Sequence, residues 1–252
     1  MRKTFNQLVI EQRQQATKIF KARGSQVSRC HHCHMALTAC FCAWKVKLSS
    51  TLNFIILLHP KELYKPTNTG RLICDLFPHS STAFTWSRTN TDDALIKQLN
   101  DDSRQLLLLF PENDNDKQKM DIEQEHATES EEIKHKPLTL IVLDGTWKQA
   151  ARMAKLTPYL QGIPRLNIAS GPNVDTDNSI NYVRKPLSDA QLSTAQAVAE
   201  ALHLYGETDN AEALKHYFSI FNQHCLATRA NKPPTITTSH HYLQNLIPND
   251  AN

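Results

Sequence analysis

Four cysteines fall within thirteen residues, as Cys30-x-x-Cys33 and Cys40-x-Cys42. Two close pairs of thiols joined by a short loop can converge on one tetrahedral metal ion, zinc above all, at little entropic cost. His31, His32 and His34 are interleaved, so a histidine in place of one cysteine is an open variant, and a redox-active cysteine pair is the competing chemistry. Cys74 and Cys225 stand alone in apolar surroundings and read as buried thiols. The other chemical candidate is a single carboxylate. Leu138 to Leu143 is a continuous branched apolar run that stops at Asp144-Gly145, and Thr146 and Trp147 lead into helix-forming residues from Lys148 to Leu156. Such a run reads as a strand buried on both faces. Asp144 is thereby delivered to the carboxyl end of a strand, where open α/β sheets place their ligands. The competing reading is a cap, because Asp144 or Thr146 could accept from the free N–H groups of the following helix.

Holding those groups requires a sheet. Leu52 to Leu58 is a second buried strand, and His59 and Glu62 follow its end in the same kind of place as Asp144. Ser81 to Trp86, Leu106 to Phe110 and Ile163 to Ile168 read as further strands. Helices are expected over Thr4 to Phe20, ended by Gly24-Ser25, over Thr69 to Leu76, from Thr91-Asp92-Asp93 to Asn100, over Ala190 to Leu204 capped by Ser188-Asp189, and over Ala211 to Arg229. Alternating strands and helices predict an α/β fold with a mostly parallel sheet flanked by helices. The expected units are a basic N-terminal helix with the cysteine module over 1–48, a catalytic α/β domain over 49–232, and a loose tail over 233–252 beyond Pro233-Pro234.

Charge is distributed unevenly. Residues 1–47 carry nine Lys or Arg against Glu11 alone, whereas 112–136 carry nine acids against four lysines, and the whole chain stands at +3. The basic module is the footprint of a protein that touches a polyanion, or else an ordinary solvated helix face. The acidic stretch has too little apolar surface to offset its ordering entropy and reads as a mobile insertion. No run approaches the roughly 18 apolar residues of a membrane span, and Met1-Arg2-Lys3-Thr4-Phe5-Asn6 lacks an apolar core for export. A cytoplasmic location with no membrane partner is the expectation.

Asp144-Gly145-Thr146-Trp147 resembles the signature of the DTW-domain family, the tRNA-uridine aminocarboxypropyltransferases. The likeness extends through the four cysteines, His59-Pro60-x-Glu62, Asn68-Thr69-Gly70-Arg71-Leu72, Leu108-Leu109-Phe110-Pro111, Tyr182-x-Arg184-Lys185 and Leu192-Ser193-Thr194, in the family's order over roughly residues 29 to 201. The resemblance implies a SPOUT-like fold with a knotted C-terminal region, a Cys30, Cys33, Cys40 and Cys42 zinc site, and S-adenosylmethionine as co-substrate. It also implies tRNA, and not DNA, as partner, with the 3-amino-3-carboxypropyl group transferred to N3 of a uridine.

That chemistry assigns expected roles. Asp144 is the base for the N3 proton, its pKa raised by partial desolvation. Thr146 positions the base or caps the helix, and Trp147 stacks on a nucleobase or packs in the core. The co-substrate pocket is expected from His59, Glu62, Thr69, Arg71, Leu109, Phe110, Pro111, Gly145, Arg184, Ser193 and Thr194. Arg71 or Arg184 would hold the co-substrate carboxylate or an RNA phosphate, and Glu62 the ammonium. Where the family commonly has Ser-Thr-x-Glu-Ala, this chain has Ser193-Thr194-Ala195-Gln196-Ala197, which removes a charge. The rival readings are a SPOUT-type RNA methyltransferase, a transfer to ribosomal RNA, and a non-catalytic zinc-containing RNA-binding protein. A hydrolase is disfavoured by the lack of a G-x-S-x-G elbow.

Overall fold

The computed structural model describes residues 5–15, 27–111, 136–168 and 192–247. Five strands form one sheet: β1 (Asn53–Leu58), β2 (Ser81–Thr85), β3 (Gln105–Leu109), β4 (Leu138–Asp144) and β5 (Arg165–Leu166). Their order is β2-β1-β4-β3-β5, and every neighbouring pair is parallel. The helices are α1 (Phe5–Gln15), α2 (Gly70–Leu76), α3 (Asp93–Leu99), α4 (Trp147–Leu156), α5 (Thr194–Leu204), α6 (Thr208–Ala230) and α7 (Thr238–Leu246).

The unbroken apolar run of β4 has a direct cause. Leu140 and Val142 enter one core with α1, α2, α5, α6 and α7, while Ile141 and Leu143 enter a second core with Leu95 of α3 and with Ala150, Met153 and Ala154 of α4. Both faces of the strand are dry, so a polar side chain in it is costly without a partner. Met35 and Phe41 of the cysteine module lie in the first of these cores, beside Phe54 and Leu140. No helix of the described residues is long and apolar enough to cross a membrane.

Two expectations are corrected and two fall beyond reach. The helix expected from Ala190 begins at Thr194, and Ser193 caps it in place of Ser188-Asp189, through a reciprocal box with Gln196. The expected loose tail contains α7, whose His240 and Leu243 are fully buried. The expected insertion, except Lys136, lies outside the described residues. So does the chain from 169 to 191, and with it the path on which the C-terminal knot depends; the knot is not confirmed.

The docking of α7 uses a pair of imidazoles. Thr237 donates its backbone N–H to His240 Nδ1 at 3.0 Å, which makes that nitrogen an acceptor. His240 Nε2–H therefore donates to His224 Nε2 at 3.1 Å, and His224 Nδ1–H donates to the Ala39 carbonyl at 2.9 Å. The chain is satisfied only with both rings neutral. Burial pulls both below their ordinary value of 6.5, His240 to about 4. The unfolded chain then binds more protons than the folded one in that window, so the stabilisation is complete above about pH 6.5 and is lost as pH falls towards 4. His240→Gln can still donate to His224 but cannot be charged. Its melting temperature, followed by circular dichroism, is expected to fall less steeply between pH 6.5 and 4 than that of the wild type.

Candidate active site and metal centre

The connection of β1 leads to β2 at one edge of the sheet, and that of β4 leads to β5 at the other. Between the carboxyl ends of β1 and β4 the chain therefore splays in opposite directions and leaves the crevice in which open α/β sheets bind ligands. Leu58 and Asp144 are in register there, and the His59 amide extends the ladder to the Asp144 carbonyl at 2.9 Å.

Asp144 does not cap the following helix. That task falls to Thr146, whose hydroxyl accepts from the Gln149 amide while Gln149 Oε1 accepts from the Thr146 amide. The Asp144 side chain turns instead into a cradle. Gly70 N–H and the Thr194 hydroxyl donate to Oδ1 at 3.1 and 2.9 Å, and Asn68 Nδ2 donates to Oδ2. Asn68 cannot flip without loss, because its own Oδ1 accepts from the Arg71 amide at 3.1 Å. Gly70 has to be glycine, since a Cβ there would stand 2.7 Å from Asp144 Cγ. Asp144 is 3% exposed; Asn68 and Gly70 are buried, and Thr194 is half-buried. Three segments far apart in sequence thus meet on one carboxylate.

Around the cradle the expected residues fall into two groups. His59 stacks on Trp86 with ring centroids 5.6 Å apart, and burial lowers its imidazole below the ordinary value. Gly145 lies against it, with space for a Cβ limited by Gln149 and His59. Phe110 and Trp147, both half-buried, face each other at 6.1 Å, and the Pro111 carbonyl accepts from Arg165. Trp147 is thus at the rim and not in the core. Leu109, by contrast, is buried in the sheet, Thr69 is buried at the start of α2, and Ser193 is spent on capping α5. Gln196 completes that cap, so its amide does here what a carboxylate could also do at the third helical position. Glu62 is 1% exposed and paired with Lys65 at 2.6 Å. Arg71 points away from the crevice, donating to the His32 and Cys33 carbonyls. Arg184 lies outside the described residues.

The four cysteine sulfurs lie within 4.8 Å of one another, with Cys30–Cys42 at 3.7 Å and Cys33–Cys40 at 3.6 Å. Four thiolates bound tetrahedrally at ~2.3 Å would be separated by about 3.8 Å. The set therefore fits one ion, and a lone redox pair is disfavoured because all four sulfurs converge within 4.8 Å. The knuckle is built for it: the His34 amide donates to the Cys30 carbonyl, the Cys30 amide to Met35, and His34 adopts φ 62°, a left-handed turn that histidine tolerates. The Cys42 thiol, with the Met35 and Phe41 amides, outweighs burial and pulls Cys33 down to about 4, while Cys40 and Cys42 are pushed up in turn. Among the described residues no histidine joins the cluster.

Sequence reading missed one feature. Lys148, Arg152 and Lys155 recur at helical spacing on the exposed face of α4, whose other face buries Ala150, Met153 and Ala154. The helix contains no acid, and among the described residues none of the three has an ion pair. The basic N-terminal module is more committed: Arg13 lies over Tyr64, Arg29 donates to the His34 carbonyl, and Lys45 pairs with Asp75. A count of basic residues every three to four positions from Lys148 would have found the stripe.

A parallel α/β sheet with a carboxylate cradle at its switch point and a four-cysteine cluster able to hold a metal ion defines the class. A family model described as the DTW domain matches residues 27–226, and the chain belongs to the DTW-domain family. Membership is consistent with a tRNA-modifying function. No solved structure matches the chain.

Proposed function

We propose that the protein transfers the 3-amino-3-carboxypropyl group of S-adenosylmethionine to N3 of a uridine in tRNA, with one structural Zn2+ on Cys30, Cys33, Cys40 and Cys42. The observation that carries this reading is the convergence of three of the family's separate motifs on one atom pair, the Asp144 carboxylate, at the switch point. Residues 1–48 and 49–232 are then divisions of role within a shared core.

Bound S-adenosylmethionine supplies an electrophilic γ-carbon beside its sulfonium, whose C–S bond breaks to release methylthioadenosine. The protein has to remove a proton and align the reactants. Among the Asn68, Gly70 and Thr194 donors to Asp144, Thr194 alone is half-exposed and able to accept a hydrogen bond while donating one. Its hydroxyl takes the N3 proton as its own hydrogen passes to Asp144 Oδ1, and the freed nitrogen lone pair forms the new bond. Phe110, Pro111 and Trp147 form the apolar rim that fits a purine or uracil face. With Arg71 committed elsewhere, Arg184 is the arginine left for the amino-acid carboxylate.

The α4 stripe supports an RNA substrate, because it starts beside Trp147 and runs ~10 Å outward at 1.5 Å per residue. Reversing Lys148, Arg152 and Lys155 to glutamate is expected to weaken tRNA binding. It should also flatten the slope of log K against log salt by about 0.7–0.9 for each phosphate no longer neutralised. An unchanged slope in filter-binding titrations would place the RNA elsewhere. The reaction itself is tested by mass spectrometry of unmodified tRNA incubated with the protein and S-adenosylmethionine. The expected product is aminocarboxypropyluridine with methylthioadenosine released; a methylated base with S-adenosylhomocysteine would replace the reading with a methyltransferase.

A further inference from the structure

Among the described residues Arg71 is a buried cation without a carboxylate counter-ion. It is 3% exposed, and its guanidinium lies 5.5 Å from the Phe5 ring centroid and 6.0 Å from that of Phe41. Nη1 donates to the Cys33 carbonyl at 2.8 Å and Nη2 to the His32 carbonyl, while Nε has no hydrogen-bond partner among the described residues. Nor does any carboxylate among those residues pair with it. A charge so placed is unfavourable unless an opposite charge lies close by. Four thiolates around one divalent ion carry a net charge of about −2, and Cys33 belongs both to that set and to the Arg71 hydrogen bonds.

The same residue is joined to the carboxylate cradle through its backbone. The Arg71 amide fixes Asn68 Oδ1, which aims Asn68 Nδ2 at Asp144, and the adjacent Gly70 amide donates to Asp144 directly. Arg71 thus has its side chain on the cysteine knuckle and its backbone on the cradle, in the first turn of α2. We propose that the four-cysteine centre is a positioning element of the Asp144 site, coupled to it through Arg71. Loss of the metal scatters the thiolates, removes the charge that holds the guanidinium, and lets the Asn68–Gly70 turn leave Asp144. The inference rests on the metal reading of the cysteines and is independent of the transferase reading.

The test is hydrogen exchange by mass spectrometry on the full chain, metal-loaded and after chelation, beside metal-loaded Arg71→Lys and Arg71→Gln. Chelation is expected to speed exchange in 68–71 and 144–146 by about tenfold or more, as for loss of a hydrogen bond to a charged group, while β1 stays protected. Arg71→Gln should do the same with metal still bound and should surrender the metal faster to a chelating dye, and Arg71→Lys should lie between the two. Deprotection confined to 29–42 on chelation would overturn the proposal. If chelation unfolds the whole chain, the variants decide: Arg71→Gln with wild-type metal loss and wild-type exchange at 68–71 would overturn it equally. Protein purified without metal, in which Arg71→Gln still deprotects the cradle, would reduce Arg71 to a packing contact and end it.

Discussion

Asp144→Asn is expected to lower turnover on tRNA by about 10²–10⁴-fold and to destabilise the fold as well. The two effects have different origins. Asparagine has nearly the shape of aspartate, but one of its two terminal atoms is a donor. Placed at Oδ2, that donor meets Asn68 Nδ2, which cannot turn without breaking its bond to the Arg71 amide. Placed at Oδ1, it meets the Gly70 N–H and the Thr194 hydroxyl, of which only the hydroxyl can rotate. Either orientation leaves a buried group unsatisfied, at a cost of about 1–3 kcal/mol. The double exchange Asn68→Asp with Asp144→Asn separates the two effects, because the amide at 144 can then donate to a carboxylate at 68. Its melting temperature is expected to return most of the way while activity stays low. Recovery of both would demote Asp144 to a structural latch.

With zinc on the four cysteines as proposed, Cys33→Ser is expected to cost the protein that ion and a large part of its stability. A structural site of this kind contributes on the order of 10 kcal/mol to the peptide it folds. Even a third of that, at about 2–4 °C per kcal/mol for a chain of this size, lowers Tm by on the order of 10 °C. Burial of the module makes the effect global, because Cys33, Met35 and Phe41 share a core with β1 and β4. Cys74→Ser is the control: its thiol is buried away from the four-cysteine cluster, and the variant should keep full zinc. Metal analysis of both variants with thermal melts checks the pair. Full zinc in Cys33→Ser would mean that another residue completes the site.

How much of this could be read from the chain depends on how local each signal is. β4 was legible because burial on both faces leaves a run with no alternation, and the cysteine cluster because its four thiols are neighbours in sequence. The start of α5 was misread. Ser188-Asp189 looks like a strong cap, but the reciprocal box of Ser193 and Gln196 is the signature that won. α7 was missed because nine mostly polar residues after two prolines resemble a tail; its place depends on His240 meeting His224, a pairing that no local pattern announces. The Asp144 cradle was legible only as motifs. That Asn68, Gly70 and Thr194 all serve one carboxylate is a long-range fact, as is the diversion of Arg71 from the crevice to the knuckle.

The bond between His224 and the Ala39 carbonyl joins residues 185 apart in the chain. The knuckle around Cys30 closes on itself within a handful of residues and can form as soon as it leaves the ribosome. Its cover cannot, since Tyr217, Phe221 and His224 pack on Phe41 and are made long after it. β4 likewise reaches β1 only after a gap of 86 residues, as between Phe54 and Leu140. Contacts so distant close late and slowly. The cysteine module therefore emerges with one apolar side bare, and that side is covered only when α6 and α7 have been made.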